Sequence, residues 1–600
     1  MIWERIPSWS SNRDRFWRRC RHFLVAIAIA FLGGRDLTLA EDFDPRVGFP
    51  DWSEVCRRVE ESGRASSWCR IESVGKTQGD RPIWLMKLGT GRTENRPALL
   101  IVAGVDAEQF SSSAVALSLA NRLIADADSG GRWKQVLERY TVYLMPVASP
   151  DAYAGIWENP IRECNRNARP WDEDGDGLID EDGPEDIDGD GKILTMRIVD
   201  PEGEWVAHPQ DERVLVPFEP ADAGRVRYRI VSEGLDNDHD GAVNEDPAGG
   251  TAFNRNFPFE YPFFVPEAGP WQVSEPETQA AADLLLRRGN IAAVVVLGTG
   301  DNMLKPWTPD SSAENARIKK RILAADAIFF DPLAKFYRET MGFSDQAESR
   351  PEGGSFHAWA YFHAGRWAFA ARMWVPKAAE EASAKSPAED EDAVREGSRP
   401  DSAPKAKPDA TEDKRGRFAR DLLAFWEARG VRAFVPWRRF DHPDYPGRCV
   451  EIGGMVPGTL WNPPPDLVEE LATKHEQLVA RIVEAFPRLR IARASLEPLG
   501  GGLFRLTAEV ENLGTWPTMP KMGEINREPY PVRVELSGEG WEPVQGFRKT
   551  LLPRLQGNGG REELRWILRQ REDAERFRVQ VTAAAPQVGR ATKTLESPAE

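Results

Sequence analysis

Two polar residues three positions apart, Asp106 and Gln109, follow the apolar stretch LLIVAG that ends at Gly104. The stretch is typical of a buried strand, and the turn after such a strand is where α/β enzymes often hold their functional groups. A carboxylate and a neutral amide are nevertheless a poor pair for zinc, which prefers histidine nitrogen, cysteine sulfur or carboxylate oxygen. The pair therefore raises the question of whether this turn is a working metal site or an altered one.

A second group of candidate ligands lies in two acidic loops, residues 172–193 and 236–246. The pattern DEDGDGLIDED is repeated as DNDHDGAVNED, and DIDGDGKI is a partial third copy. Alternating acids followed by glycine form the first half of an EF-hand-type calcium loop, here without the glutamate at the twelfth position. We therefore expect calcium as a cofactor, and the alternative is a pair of solvated acidic loops. The candidate ligands are Asp172, Asp174, Asp176, Asp180, Asp182, Asp186, Asp188, Asp190, Asp236, Asp238, Asp240, Asn244 and Asp246.

The net charge of −17 over 600 residues is concentrated in these loops, because residues 172–190 and 236–246 hold sixteen acids and neither Lys nor Arg. No basic segment indicates nucleic-acid binding.

The N-terminal segment has the pattern of an export signal. Arginines precede the apolar run FLVAIAIAFL, and small residues follow up to Ala40, which predicts a signal peptide over residues 1–40. The chain is then expected to be exported to the periplasm or the extracellular space, without a membrane contact beyond that segment; an uncleaved anchor is the alternative.

The elements that must position these residues alternate between strands and helices from residue 80 to about residue 376. RPALLIVAG, YTVYLMPV and NIAAVVVLG are continuous apolar runs, as in strands buried on both faces, and SSSAVALSLANRLIADA has helical spacing. The run SEPETQAAADLLLRR begins with Ser274 and Glu277, which predicts a capping box. The fold class is therefore α/β, with a mixed sheet flanked by helices.

Two further segments differ from this pattern. Residues 377–416 hold almost no large apolar residue and are predicted to be a disordered insert. Residues 491–600 alternate apolar and polar residues between Gly and Pro turns, which predicts a small all-β sandwich.

Cys56 and Cys69 are close in sequence and could pair in an oxidising compartment; buried free thiols are the alternative.

Residues 41–490 resemble the M14 zinc carboxypeptidases, with the match beginning at about residue 47. YLMPVASPDAYAGIWE resembles the family's P-x-x-N-P-D-G-Y turn, FNRNFP matches its Asn-Arg pair, and HPDYPGRCVEIGG is similar to the end of the domain in bacterial members. The resemblance implies a carboxypeptidase-like mixed sheet. It also implies a zinc site at the ends of the central strands, where the family has G-[IV]-H-[AS]-R-E.

The aligned positions of this chain depart from that site. The family's zinc-binding His and Glu are Asp106 and Gln109, the Arg between them is Glu108, and the third ligand falls on Leu297 or Gly298. The general base falls on Arg372, which stays protonated in proteins and cannot accept a proton. We therefore expect neither bound zinc nor catalytic residues at these positions. We expect Asp106 and Arg372 to form an ion pair across the altered site, with Glu108 or Asp301 as the other candidate partners.

The substrate-binding half of the family pattern is retained. The Asn-Arg pair that holds a peptide's terminal carboxylate in the family matches Asn254 and Arg255, and Arg166 resembles the upstream Arg, although Arg169 or Arg162 could take that role. Bracing of the core is the alternative role of the pair.

Three functions are compatible with these observations. The first is an exported, zinc-free M14-like protein that binds peptide or cell-wall peptide C-termini. The second is an active zinc carboxypeptidase with a rearranged site, and the third is a calcium-stabilised structural or adhesive module. The changed positions favour the first over the second, whereas only Arg166, Asn254 and Arg255 separate the first from the third.

Overall fold

The computed structural model describes residues 43–172, 177, 179–239, 241, 243–244, 249–310, 316–343, 349–376 and 416–598. The predicted signal peptide and residues 377–415 of the predicted insert lie outside the described residues, as do four of the calcium candidates: Asp174, Asp176, Asp240 and Asp246.

The strands that the structure describes are numbered in chain order. They are β1 Cys69–Lys76, β2 Pro82–Leu88, β3 Ala98–Ala103, β4 Thr141–Met145, β5 Thr195–Val199, β6 Trp205–His208, β7 Asp211–Pro217, β8 Arg227–Ser232, β9 Ile291–Gly298, β10 Trp367–Arg372, β11 Phe434–Phe440, β12 Val450–Met455, β13 Leu489–Gly500, β14 Leu503–Asn512, β15 Arg533–Ser537, β16 Trp541–Gln545, β17 Lys549–Leu551, β18 Gly560–Gln570, β19 Arg578–Ala585 and β20 Gly589–Glu596.

The described α-helices are numbered in the same way. They are α1 Trp52–Ala65, α2 Ser111–Asp128, α3 Arg132–Arg139, α4 Pro150–Gly155, α5 Pro276–Arg287, α6 Ala324–Met341, α7 Phe356–Phe362, α8 Arg417–Ala428, α9 Val468–Ala485 and α10 Lys521–Asn526. Among the described residues, no helix combines the length and the apolar character that crossing a bilayer would require.

A mixed six-stranded sheet in the order β1-β2-β4-β3-β9-β10 forms the centre of the α/β part. Strands β4, β3, β9 and β10 are parallel, and β1 and β2 are added antiparallel at one edge. Every residue of β3, β4 and β9 is buried, which agrees with the continuous apolar runs in the sequence. The helix predicted from the spacing of SSSAVALSLANRLIADA is present as α2, directly after β3. The predicted capping box at Ser274 and Glu277 is wrong, because α5 begins at Pro276 with Glu275 at its N-cap.

A second sheet of six antiparallel strands, in the order β11-β12-β5-β8-β6-β7, was not predicted from the sequence. It combines the strands that follow the first acidic loop with two strands from residues 434–455. A small core of buried side chains supports it, including Met196, Ile198, Val450 and Ile452. Most of its strands are only partly buried, so they lack the long apolar runs that mark the central sheet.

The C-terminal part is a sandwich of two four-stranded antiparallel sheets, β13-β14-β18-β16 and β17-β15-β19-β20. Alternate residues of facing strands fill its core, including Leu506, Val534, Trp566 and Val581. The all-β part predicted from alternating apolar and polar residues is therefore confirmed.

The sandwich is joined to the α/β part by a buried polar centre at Asp326 of α6. The Asp326 carboxylate is fully buried and accepts hydrogen bonds from the backbone N–H groups of Lys521 and Met522, at 2.6 and 3.0 Å, and from the hydroxyl of Tyr361 at 2.9 Å. A guanidinium nitrogen of Arg554 lies 3.6 Å from its Oδ1. Beside this centre the ring of Trp516 packs against Trp367 and Phe369.

The four described cysteines, Cys56, Cys69, Cys164 and Cys449, are free thiols. The possible Cys56–Cys69 disulfide is therefore not formed. Cys69 is buried in β1, and burial raises its pKa to about 12, whereas Cys56 lies on α1 and accepts a hydrogen bond from the indole N–H of Trp84 at 3.4 Å.

Candidate functional site

The parallel strands β3, β9 and β10 end side by side and bring together the positions at which the resemblance implies the zinc site. Ala103 at the end of β3 pairs with Leu297, and Gly298 at the end of β9 pairs with Arg372 at the end of β10. Because parallel strands end at one edge of a sheet, Asp106 in the turn after β3 lies beside Gly298. We call the space above these strand ends the cleft.

The Asp106 carboxylate takes the space beside Gly298. Its Oδ2 accepts hydrogen bonds from the backbone N–H and the hydroxyl of Thr299, both at 2.8 Å. A Cβ on Gly298 would lie only 2.8 Å from this oxygen and 2.6 Å from a methyl carbon of Val105. Leu297, the other candidate for the third ligand, is buried within β9. The position at the strand end is therefore a glycine, and the neighbouring carboxylate leaves no room for a side chain there.

Burial raises the pKa of Asp106, and hydrogen bonds from Thr299 and Asn254 together with the charge of Arg255 oppose the rise. The neighbouring Glu108 is only partly exposed, and burial followed by the charges of Glu163 and Asp106 raises its pKa to about 8. At neutral pH Glu108 is therefore mostly protonated and can donate a hydrogen bond into the cleft.

Gln109 is fully buried at the position of the family's zinc-binding Glu. Its amide nitrogen is 3.4 Å from the carbonyl oxygen of Trp461, whereas its Oε1 has no hydrogen-bond partner among the described residues. Asn462 holds the turn in place, because its side-chain amide donates to the Glu108 carbonyl at 2.7 Å and its Oδ1 accepts from the Ser111 N–H at 2.9 Å.

The expected ion pair between Asp106 and Arg372 does not form within the described part of the chain. The Arg372 guanidinium carbon lies 5.1 Å from the ring centre of Phe418 and 4.9 Å from that of Trp461. Asp301, one of the two other candidate partners, is the carboxylate whose charge acts on the pKa of Arg372. The prediction failed because the side chain leaves the strand end toward α8 and the segment after β12.

Of the three predicted substrate-binding residues, Asn254 has a structural role. It is buried, its Oδ1 accepts a hydrogen bond from the Phe356 N–H at 3.0 Å, and its side chain also hydrogen-bonds to Asp106. Asn254 thus has the bracing role that the sequence left open, because it ties the turn after β3 to the start of α7. The tight packing of this segment also needs Gly354, where a Cβ would meet the Arg255 carbonyl oxygen at 2.3 Å.

Arg255 is exposed, and its positive charge lowers the pKa values of Asp106 and Glu108, so its side chain is at the cleft. Arg166 pairs through its backbone with Ala252, close in sequence to Arg255. Of the alternatives to Arg166, Arg169 is bound to Glu275 at 3.2 Å and Arg162 to Glu158 at 2.8 Å.

The sequence did not single out Glu352 and Glu163, which also border the cleft. Burial and then the charge of Asp106 raise the pKa of Glu352, while Arg255 lowers it. Glu163 accepts a hydrogen bond from the Gly458 N–H at 2.8 Å. Neither residue lies in a motif, and the only signal for Glu352 was the Gly353-Gly354 pair that follows it.

The three copies of the acidic pattern, two in residues 172–193 and one in residues 236–246, share one local geometry. In each, the first Asp accepts a hydrogen bond from the backbone N–H of the glycine five residues later, at 2.8 to 3.1 Å; the pairs are Asp172 with Gly177, Asp186 with Gly191 and Asp236 with Gly241. The fully buried Asp182 of the first loop accepts from the N–H groups of Asn237 and Asn244 in the second. The described residues of the two loops are therefore packed together.

A buried glutamate that the sequence did not suggest, Glu233, lies beside the third copy of the acidic pattern. Carboxylate oxygens of Asp186, Asp188 and Glu233 lie within 4.8 Å of one another. Glu233 also accepts hydrogen bonds from the N–H groups of Ile187, Asp188 and Leu194, and burial raises its pKa to about 7. Glu233 follows β8 and is more than forty residues from Asp186 and Asp188 in sequence, so no local pattern indicates it.

Two family models match parts of the chain. Residues 59–179 and 227–391 match the family model described as zinc carboxypeptidase, and residues 488–596 match one described as a domain of unknown function (DUF8731). The matched zinc carboxypeptidase segments omit residues 180–226, which hold β5, β6 and β7 of the second sheet. The predicted fold class, a carboxypeptidase-like mixed α/β sheet followed by an all-β part, is confirmed.

Individual relatives match shorter segments. The chain is 32% identical to carboxypeptidase A4 of Mus musculus over 80 residues, which are 13% of this chain and 19% of that protein. It is 31% identical to carboxypeptidase A2 of Mus musculus over 81 residues, which are 14% of this chain and 19% of that protein. The match thus spans about a fifth of the length of these relatives.

Two solved structures align with about half of the chain. Thrombin activatable fibrinolysis inhibitor aligns at 15% identity and a TM-score of 0.34, covering 54% of this chain and 65% of that one. Carboxypeptidase A from Helicoverpa armigera aligns at 12% identity and a TM-score of 0.33, covering 54% and 63%.

Proposed function

The α/β part of this chain belongs to the zinc carboxypeptidase family, and from that premise we propose that the protein is an exported, zinc-free member that binds peptide ends without cleaving them. The peptides include those of bacterial cell walls. One observation carries the proposal: the Asp106 carboxylate fills the space beside Gly298, where the third zinc ligand would have to stand.

The donor set at the strand ends does not fit zinc. Asp106 supplies one carboxylate that is already bound to Thr299, Gln109 supplies a neutral amide, and Gly298 supplies no side chain. A catalytic zinc site needs three protein ligands and an open position for water. Arg372 at the position of the base carries a positive charge, so it cannot take the proton from an attacking water.

The groups that remain at the cleft suit binding. Arg255 is exposed there and presents a guanidinium, which can hold a carboxylate through two parallel hydrogen bonds. Glu108, with its pKa raised to about 8, can donate a hydrogen bond to a peptide carbonyl. A ligand with a free C-terminus could use both.

Metal analysis and a turnover assay on the same purified protein test this proposal. We expect far less than one equivalent of zinc, no hydrolysis of peptide or ester substrates with or without added zinc, and peptide binding that survives a chelator. Stoichiometric zinc with chelator-sensitive hydrolysis would overturn it, and so would a cleft that binds no peptide. Export is tested separately, by sequencing the N-terminus of the protein recovered outside the cytoplasm, where we expect it to begin after Ala40.

We also propose that calcium binds the acidic loops and stabilises the fold. Support comes from the repeated Asp–Gly geometry of the three loops and from the close carboxylates of Asp186, Asp188 and Glu233, which would repel one another without a cation. Buried oxygens of Asp236 and Asn244 lack a partner among the described residues.

We expect millimolar calcium to raise the unfolding free energy by about 2–3 kcal/mol over chelator, as for a ligand at about a hundred times its Kd. Glu233→Gln should reduce this gain, because it removes a charged ligand atom, whereas Glu212→Gln on the exposed side of β7 should not. Equal melting temperatures in calcium and chelator would contradict the proposal.

A further inference from the structure

The segment before α5 carries an exposed loop rich in aromatic residues, residues 261–271, which we call the aromatic loop. Its sequence is YPFFVPEAGPW. Phe264 is fully exposed, with a relative exposure of 103%, and the exposed fractions of Phe263, Val265 and Trp271 are 64%, 42% and 59%. Proteins rarely leave several neighbouring apolar side chains in water unless these side chains contact a partner.

The backbone of the aromatic loop is strained at the residue that is most exposed. The N–H of Val265 donates to the carbonyl oxygen of Pro262 at 3.3 Å, which closes a turn with Phe263 and Phe264 at its central positions. Phe264 has a φ of +65°, in the left-handed region that turns usually fill with Gly or Asn. A side chain is disfavoured there because its Cβ approaches the following carbonyl oxygen. The turn thus presents a fully exposed Phe where the local geometry favours Gly, and packing inside the protein does not account for it.

The base of the aromatic loop is fixed by hydrogen bonds. The Tyr261 hydroxyl donates to the Gly269 carbonyl at 2.6 Å. The side-chain amide of the buried Asn256 donates to the carbonyl oxygens of Ala268 and Trp271, at 2.7 and 2.9 Å. Trp271 therefore lies beside the base of the same loop. A loop that is already ordered loses little conformational freedom when its tip binds.

A basic segment, residues 316–321, lies next to the aromatic loop. Its sequence ARIKKR holds four cationic residues, in a chain whose net charge is −17. The Lys320 ammonium pairs at 2.6 Å with the carboxylate of Glu260, directly before the loop. Arg317 and Lys320 are exposed, and the apolar side chain of Ile318 is 71% exposed. Positive charge beside exposed apolar side chains is the combination that attaches proteins to anionic bilayers.

We propose that the aromatic loop and the basic segment form a docking surface for a bilayer that contains anionic lipids. Phe263 and Phe264 enter the boundary between headgroups and acyl chains, and Arg317 and Lys320 stay with the lipid phosphates. A bilayer suits this surface better than a peptide does, because a fully exposed side chain protrudes and does not line a groove. No membrane contact beyond residues 1–40 is expected from the sequence, since the apolar part of the loop is far too short to resemble a membrane segment.

Flotation of the full chain with phosphatidylcholine vesicles, prepared with and without phosphatidylglycerol, tests the proposal. We expect binding to the vesicles that contain phosphatidylglycerol, weakened by added salt, and much less binding to phosphatidylcholine alone. Phe263→Ser combined with Phe264→Gly should weaken the binding about 10- to 100-fold, because the apolar side chains no longer leave water. Arg317→Gln should weaken it about fivefold, as expected for one cationic residue at an anionic surface.

Phe264→Gly alone separates docking from a structural role of this side chain. Because Gly suits a φ of +65°, the variant should melt at the temperature of the unaltered protein or higher, and yet bind vesicles about tenfold less tightly. The matched control is Phe547→Ser, since Phe547 is 79% exposed in the β-sandwich, and it should not change the binding.

Three outcomes would overturn the inference. The first is no binding to either kind of vesicle, and the second is equal binding to both. The third is binding that Arg317→Gln abolishes and that Phe263→Ser with Phe264→Gly leaves unchanged, because this is attachment of a basic segment to any polyanion.

Discussion

Two polar centres of this protein, one between its domains and one in its cleft, are satisfied to very different degrees. At the domain junction, the fully buried Asp326 accepts hydrogen bonds from two backbone N–H groups and a tyrosine hydroxyl, with Arg554 beside it. At the end of β10, Arg372 rests on aromatic rings, and its Nε has no acceptor among the described residues. The Asp326 carboxylate thus obtains its donors from the chain, whereas the Arg372 Nε, like the Arg554 Nη2 at the junction, has no hydrogen-bond acceptor among those residues.

Asp106 stands between these two cases. Its Oδ2 is bound by Thr299, and its side chain is hydrogen-bonded to Asn254, so Asp106 is part of the internal hydrogen-bond network. By contrast, the Gln109 Oε1 and the Arg372 Nε have no hydrogen-bond partner among the described residues. Adjacent strand ends therefore differ in how far the chain satisfies their polar atoms.

The largest expected effect concerns the domain junction. Asp326→Ala would leave the N–H groups of Lys521 and Met522 without their acceptor and the guanidinium of Arg554 without the carboxylate 3.6 Å away. Removing one partner of a buried charged network costs about 3–5 kcal/mol of unfolding free energy. Chemical denaturation measures the loss, and Asp331→Ala on the exposed side of the same helix is the control, expected to change stability by about 0.5 kcal/mol or less.

If Asp326→Ala were as stable as its control, the junction would not be a stabilising centre and the contrast with the cleft would disappear. If the variant lost only the unfolding transition of the sandwich while the α/β part stayed folded, the Asp326 centre would connect the two parts without stabilising both of them.

The second expected effect concerns the protonation of Glu108. Its pKa in the folded protein is raised to about 8, so the folded state holds the proton that the unfolded state has already released. The stabilisation is therefore complete below the unfolded pKa of about 4.5 and is lost as the pH rises toward about 8. Because Glu108 is partly exposed, solvent screening limits the change to about 1–2 kcal/mol.

Denaturation of the unaltered protein and of Glu108→Gln across this pH range isolates the contribution. The variant should lose less stability with rising pH, and Glu163→Gln should have a similar but weaker effect, because Glu163 is the charge that raises the Glu108 pKa most. Parallel pH profiles for all three proteins would mean that Glu108 ionises normally and is not a hydrogen-bond donor at neutral pH.

The central sheet could be predicted because burial on both faces imposes continuous apolar runs, as in β3, β4 and β9. The second sheet could not, because strands such as β7 and β11 are only partly buried, and β11 contains Pro436 and two arginines. Local patterns also failed at the start of α5, where Pro276 at the first helical position replaced the predicted capping box.

Within the site, the sequence identified which positions would meet but not where their side chains would point. Asp106, Gln109 and Arg372 do lie at neighbouring strand ends. The direction of Arg372 depends on Phe418 and Trp461, and the partners of Asp186 and Asp188 include Glu233; these contacts join distant segments and leave no periodic pattern in the sequence.

The smallest expected effect concerns Arg372 itself. Arg372→Met keeps an apolar stem against Phe418 and Trp461 and removes a buried donor that has no partner, while losing the cation–π attraction of the two rings. An unsatisfied buried donor costs about 1–3 kcal/mol, and each cation–π contact contributes about 0.5–1 kcal/mol, so the two changes nearly cancel. We expect the variant to be equal to the unaltered protein or more stable by about 1 kcal/mol. Arg554→Met, which removes the arginine beside Asp326, should instead lose about 2–3 kcal/mol. Denaturation of the two variants in parallel measures the difference, and a loss at Arg372 as large as that at Arg554 would show that both centres are structural.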